Sequence, residues 1–228
     1  MLAALTLMVA LATPAPAPVV PAQTPPPEPN HLTLDIEGAA LVTSGNAWID
    51  GRGSMTQLGA RYEFQATPKT RFANTVQWER VVSHYAAGGG PRWNFDYDQF
   101  DDEFDVELGR PDLPTGVGIG YFSYNPVYDY TETYNLRGIG VGVDRWANYY
   151  MPRSIYYSVW YYPSLHGRDL GYGNYGVLRA DVGVNIRPNL VQPWNLRIGF
   201  ASDTWFARNA NATDSGFNGP YVGMSYWH

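Results

Sequence analysis

The stretch "NYGVLRADVGVNIRPN", residues 174–189, alternates almost without interruption. Leu178, Ala180, Val182, Val184 and Ile186 fall on one parity, and Arg179, Asp181, Gly183, Asn185 and Arg187 on the other. A period of two places successive side chains on opposite faces of a β-strand. One face therefore meets an apolar environment and the other a polar one. Which of them meets water decides what kind of protein this is.

The rest of the chain suits strands. Among 228 residues, aromatic side chains make up 15% and glycines number 24, a composition that favours strands and tight turns over helices. No amphipathic helical stretch stands out after residue 30. The length suits one large all-β domain or two small ones. A formal net charge of −6 argues against a nucleic-acid partner, which needs a basic surface to neutralise phosphate. With no cysteine there are no disulfides and no thiolate metal sites. Lys69 is the lone lysine. Two readings fit that: a GC-rich genome, or a chain with few side chains on an ordinary soluble surface, where lysine is common.

The first residues read as an export signal. "LAALTLMVALA", Leu2–Ala12, is an uncharged apolar run of h-region length, too short to cross a bilayer as a helix. Small residues follow, and Val20, Pro21 and Ala22 form a plausible cleavage site, although the run lacks a positively charged flank. Residues 1–22 are expected to be a signal peptide. Residues 23–30, within "PAQTPPPEPN", are expected to be an extended Pro-rich spacer, because proline at that density cannot pack a core.

From residue 31 to 228 the pattern is strand, turn, strand. The expected strands are 32–43, 55–66, 70–83, 93–108, 116–124, 135–146, 154–162, 176–187, 194–206 and 220–228. Turn signals separate them at Gly51 to Gly53, Thr67 and Pro68, Gly88 to Pro91, Pro111 to Pro114, Asn125 and Pro126, Pro188 and Asn189, and Gly216 to Pro220. The expected fold class is all-β: an up-and-down antiparallel meander closed into a barrel of about ten strands, with eight to twelve as the range.

The same alternation recurs. Leu58, Ala60, Tyr62 and Phe64 oppose Gly59, Arg61, Glu63 and Gln65; Phe104, Val106 and Leu108 oppose Asp105, Glu107 and Gly109; Trp194, Leu196, Ile198 and Phe200 oppose Asn195, Arg197, Gly199 and Ala201. In a soluble barrel the apolar parity is the core. In a membrane barrel it faces lipid, and the polar parity lines the lumen. Three features favour the second arrangement. The polar parity mixes glycine with charges of both signs, as a confined interior would. The segments match the roughly 9–11 residues that cross a bilayer when tilted. Aromatics gather at segment ends, namely Trp146, Tyr149 and Tyr150; Trp160, Tyr161 and Tyr162; Trp205 and Phe206; and Tyr226 and Trp227, where they are expected to form interfacial girdles.

With its export signal, its meander and its final strand "YVGMSYWH", the chain resembles bacterial outer-membrane β-barrel proteins. The resemblance is to the class, not to a specific family. It implies that the last strand closes the barrel and ends in an aromatic residue; here His228 follows Trp227. It also implies the outer membrane as location, with the periplasm or secretion as the alternative.

Several constellations bear on chemistry. The polar parity predicts a lumen network of Arg61, Glu63, Asp105, Glu107, Arg179, Asp181, Arg187 and Arg197, with Asp181 turned towards arginines on neighbouring strands. "NFDYDQFDDEFDVELGRPD", residues 94–112, is dense in carboxylates. Asp96, Asp98, Asp101, Asp102 and Glu103 are candidate ligands for a divalent cation such as calcium. Their spacing is not that of an EF-hand, and a solvated acidic loop is the alternative. The runs "GVGIG" (116–120) and "GIGVG" (138–142) are not a dinucleotide fingerprint, since no helix follows. They read instead as strands with one face bare, open to close packing by a large side chain. Ser164 and His166, in "YYPSLHG", share a parity, and the pair resembles the Ser and His two apart on a strand in outer-membrane lipid deacylases, in reversed order. Pro163 and Gly167 suggest a loop there. An omptin-like protease reading lacks its Asp-x-His element.

The sequence thus predicts a monomeric outer-membrane β-barrel with a polar, largely filled lumen and a structural or envelope-interaction role. It has no assigned catalytic residues. Its partners are membrane lipids and other envelope components. The alternatives are a soluble exported β-barrel that binds a small apolar ligand and a lipid-modifying barrel enzyme.

Overall fold

The computed structural model describes residues 30–44, 51–67, 70–86, 92–108, 115–126, 135–167, 175–208 and 215–228; for 43–44, 83–86, 92–97, 108, 126 and 215 it describes the backbone only. The signal peptide and nearly all of the spacer lie outside the described residues.

The chain forms ten strands: β1 (Asn30–Ser44), β2 (Gly51–Thr67), β3 (Thr70–Ala86), β4 (Arg92–Leu108), β5 (Gly116–Pro126), β6 (Leu136–Arg145), β7 (Arg153–Leu165), β8 (Tyr175–Ile186), β9 (Trp194–Ala207) and β10 (Ser215–Trp227). Each pairs antiparallel with its neighbours in sequence, and β1 pairs with β10, so the sheet closes into a barrel. The expected ten-stranded meander is the fold. Closure leaves no unpaired edge, and that is what permits a sheet to sit in lipid. An even number of strands brings both termini to one end, called here the terminal end; the opposite end is distal.

Three expected turns lie inside strands. Asn125 and Pro126 end β5, paired with Asp98 and Tyr97. Gly51, Arg52 and Gly53 pair with Thr43, Val42 and Leu41. Gly216 to Pro220 belongs to β10 and pairs with β9 from Thr204 to Phe200. The turn signal at Pro220 has a different consequence. On the β1 side the ladder runs to Ala39 with Tyr221 and resumes at Val42 with Asn218. Proline has no N–H to donate, so the seam skips there. At Gly219 an added Cβ would collide with the Ala40 carbonyl oxygen, so the two backbones approach closely at this skip.

The faces are the inverse of a soluble barrel. Along β1, His31, Thr33, Asp35 and Glu37 are buried, while Leu32, Leu34 and Ile36 are exposed. In β8, Val182 and Val184 are exposed and Asn185 is buried. Every strand adds to the outer apolar belt: Ile36, Leu58, Trp78, Phe104, Ile119, Ile139, Ile155, Val182, Ile198 and Val222 in strand order. Ile139 is 70% exposed. Tyr62, Phe64, Phe72 and Phe104 stack in a ladder across the outside of β2 to β4, with ring centroids 5.3–6.3 Å apart.

Candidate functional site

The lumen is built from two unlike walls. β4 turns Gln99, Asp101, Glu103, Asp105 and Glu107 inward, and all five are buried. Beside it, β5 and β6 turn glycines inward, and the two runs pair directly, Gly118 with Gly142 and Gly120 with Gly140. The bare face makes room for the neighbours on both sides. An added Cβ at Gly116 would fall 2.5 Å from an Asp144 oxygen and 3.2 Å from Asp105 Cβ. At Gly140 it would lie 2.5 Å from the Tyr162 ring, and at Gly142 it would enter the Trp160 ring. The glycine runs are thus the bed on which Trp160 and Tyr162 of β7 rest.

Three arginines organise the charge. The side chain of Arg61, fully buried, donates to Glu63 (2.8 Å), Asp144 (2.8 Å), Glu107 (2.7 Å), Asp105 (3.3 Å) and the Thr75 hydroxyl (3.0 Å). Arg71 adds a second cation to Glu63 at 3.1 Å. Arg197 lies 2.7 Å from Glu37, 3.2 Å from Asp35 and 3.7 Å from Asp181. Arg179 reaches Asp203 at 3.1 Å and also pairs with Asp101 and Glu79. Three guanidinium groups therefore serve ten carboxylates. Arginine suits this role because its five donors fan out in one plane and its charge survives burial. Aromatic rings join the networks. Trp146 lies under both Arg61 (4.6 Å) and Arg197 (5.3 Å), Tyr156 under Arg197 (4.3 Å) and Phe122 under Arg179 (5.5 Å). Tyr221 donates to Asp181 at 2.5 Å and is hydrogen-bonded to Tyr156.

Buried aromatic residues gather towards both ends. Towards the distal end Phe122, Trp160, Tyr162, Leu165, Val177 and Trp205 form a buried cluster. At the terminal end the connection 146–152 folds inward and buries Trp146, Ala147 and Tyr149. Arg187 anchors it by donating to the carbonyls of Tyr149 and Gln192 and lies over the Trp227 ring at 5.2 Å. Between the networks remains a cavity of about 30 Å³, lined in part by Gln57, Glu79, Glu103, Arg179, Asp181 and Asp203. That is room for one or two waters.

The structure thus gathers Arg61, Glu63, Asp105 and Glu107 around one centre, joins Asp181 to Arg197, and gives Arg179 a separate centre. Arg187 differs from these seven in taking carbonyls. Asp35, Glu37, Glu79, Asp144 and Asp203 complete the networks although the sequence did not single them out. Their signal was parity: Asp144 continues the bare face of Gly138, Gly140 and Gly142, and Asp35 and Glu37 alternate with Leu34 and Ile36. The acids 96–103 are divided by the same alternation. Asp101 and Glu103 turn inward, whereas Asp102 faces out and accepts from Asn74 at 2.7 Å. Asp98 pairs with Arg80 at 3.2 Å, and the Asp96 side chain lies outside the described residues. Among the described residues no three His, Cys, Asp or Glu side chains are arranged to hold a metal.

Two expectations need correction. Trp146, Tyr149, Trp160, Tyr162 and Trp205, expected at the membrane interface, are buried in the barrel. Aromatic character does not distinguish a lumen-filling ring from an interfacial one. Ser164 and His166, expected on a loop, lie at the end of β7 and just beyond it, where His166 bridges Arg137. The β7–β8 register shifts between Tyr162 and Leu165, and both of these residues point inward. Pro163 cannot donate to the ladder, and the bulge formed there re-aims the residues after it. Ser164 and His166 consequently face outward, with Ser164 Oγ 3.1 Å from His166 Nε2.

No protein-family model and no curated relative matches the chain. Among solved structures, it is similar to the outer-membrane protease OmpT from Escherichia coli (10% identity, TM-score 0.44, 87% of this chain and 97% of that one covered). It is also similar to the β domain of the Bordetella autotransporter BrkA (10%, 0.44, 87% and 99%). A third is the translocator domain of the autotransporter NalP from Neisseria meningitidis (10%, 0.42, 88% and 89%). Likenesses this loose say nothing about role; the fold rests on the strand ladder itself.

Proposed function

We propose that the chain is a monomeric outer-membrane β-barrel with a polar, filled lumen, acting as a structural or envelope-interacting component. One observation carries this reading: an apolar belt faces outward on all ten strands while the arginine–carboxylate networks face inward. A soluble monomer seldom exposes an apolar patch beyond a few hundred Å². Here an apolar belt encircles the molecule, and lipid is the environment it matches. The arginine networks and the aromatic cluster support a closed lumen over an open channel. The soluble ligand-binding alternative would need an apolar interior with room for a ligand, and the space between the networks suits water.

The test is a gel and a phase partition. A closed membrane barrel resists SDS until heated, so unboiled and boiled samples should migrate differently, and the protein should require detergent to stay in solution. Identical mobility together with solubility in plain buffer would overturn the reading.

A further inference from the structure

We infer that Ser164 and His166 form an esterase site on the outside of the barrel, directed at the acyl esters of an anionic lipid in the leaflet at the distal end. The inference rests on the proposed membrane location.

The first support is geometry. A weak nucleophile becomes competent when a base lies within hydrogen-bond reach. Ser164 Oγ and His166 Nε2 are 3.1 Å apart, and the bulge at Pro163 turns both away from the lumen. His166 is pinned by two backbone hydrogen bonds to Arg137, each 2.8 Å. The imidazole is thus carried on a fixed backbone.

Depth gives the second support. On β6 the outward residues read Arg137, Ile139, Val141, Val143 and Arg145. The three aliphatic positions lie in the apolar belt, and the arginines mark its two edges. Arg137 is the distal edge and sits directly across from His166. The Ser–His pair therefore lies at the level where acyl chains meet headgroups, and there the ester bonds of a membrane lipid reside.

Charge supplies the third. Arg137 is exposed, and so is Arg208, whose guanidinium is held by the Tyr161 hydroxyl (2.6 Å) and the Pro163 carbonyl (2.9 Å). The Arg208 guanidinium thus lies beside the pair on the outer face, and Arg137 stands across the ladder from His166. Both arginines suit a phosphate-bearing headgroup, which a guanidinium fork matches well.

The chemistry closes without a cofactor. Ser164 Oγ adds to the ester carbonyl carbon as its proton moves to His166 Nε2. The C–O bond to the headgroup moiety breaks, and Nε2 returns the proton to the departing oxygen. Water then attacks the acyl-serine, giving its proton to Nε2, and the fatty acid leaves as the Ser164 hydroxyl is restored.

The experiment uses the full mature chain refolded into phosphatidylglycerol vesicles, with release of free fatty acid and covalent labelling by a fluorophosphonate probe as readouts. Release and labelling of Ser164 are expected. Ser164→Ala should abolish both, and His166→Asn should lower them by about 10²–10⁴-fold, the range for removal of a general base. Arg208→Gln should reduce the preference for phosphatidylglycerol over phosphatidylcholine without abolishing labelling. A heat-shifted gel band confirms that each variant is folded. Protein that floats with the vesicles and shifts on heating, yet shows neither release nor labelling, would overturn the esterase site and leave the barrel reading standing. Release that persists in Ser164→Ala would overturn it too. Failure to associate with vesicles would overturn both.

Discussion

The wall formed by β4 and the wall formed by β5 and β6 face the same lumen with opposite means. β4 projects five polar side chains, whereas β5 and β6 leave the inward face bare along Gly116 to Gly120 and Gly138 to Gly142, with Phe122 and Asp144 only beyond those runs. The first wall supplies charge and the second supplies volume. That volume is taken up by Trp160 and Tyr162 of β7 on one side and by Asp105 and Asp144 on the other. The difference teaches that a small barrel fills its interior by pairing crowded strands with empty ones.

The largest expected effect tests the charged wall. Arg61→Met would take the cation away from Asp105 and Asp144 and leave Glu63 and Glu107 with Arg71 alone. Breaking a buried ion pair from one side costs about 3–5 kcal/mol, so this variant should lose most of its refolding yield and its heat-shifted band. A stable Arg61→Met barrel would mean that the carboxylates need no counter-charge.

Next comes the outer surface, where neither wall should matter. Val182→Arg should cost roughly 2–4 kcal/mol in lipid, and Leu178→Arg, nearer the strand end, about 0–1. Equal costs in denaturant titrations of the two would remove the depth dependence on which the lipid-facing assignment rests.

The glycine wall should respond more mildly. Gly142→Ala places a methyl group within the Trp160 ring, and overpacking of this kind costs roughly 1–3 kcal/mol. The double variant Gly142→Ala with Trp160→Leu should recover part of that loss, in a double-mutant cycle read by urea unfolding. Additivity would show that the ring does not rest on the glycine.

Glu103 gives the smallest effect. It lines the cavity, and none of the ion pairs of Arg61, Arg179 or Arg197 includes it. Glu103→Gln should change stability by less than about 1 kcal/mol, well under the cost at Arg61. A loss as large as that of Arg61→Met would place Glu103 inside a network.

Much of this was legible in the sequence because one period governs it. Strict alternation located all ten strands, and in "VLRADVGVNIR" it also assigned Arg179, Asp181 and Arg187 to the polar face. The carboxylates at 35, 37 and 144 carried the polar parity of their strands, but no arginine shares that parity within their own strands to mark them as members of a network. Which acid meets which arginine depends on the stagger of the closed sheet, and alternation along a strand does not encode it. Trp160 was misplaced because a ring is equally at home beside lipid and over a glycine bed. Ser164 and His166 were misplaced because Pro163 and Gly167 read as loop signals, whereas Pro163 sits in a bulge and the strand continues to Leu165.

The seam between β1 and β10 has a consequence for how the molecule comes to exist. It joins residues at opposite ends of the chain, Thr33 with Trp227 among them. Every other pairing links neighbours through a short hairpin and incurs little loop entropy, whereas this one closes the longest loop available. The seam is therefore the step that must wait for the rest of the sheet. Pro220 removes a donor from it, and the ladder skips between Ala39 and Val42. The junction that forms last is thus also the one where amide protons should exchange first, and unzipping of the finished cylinder would start there.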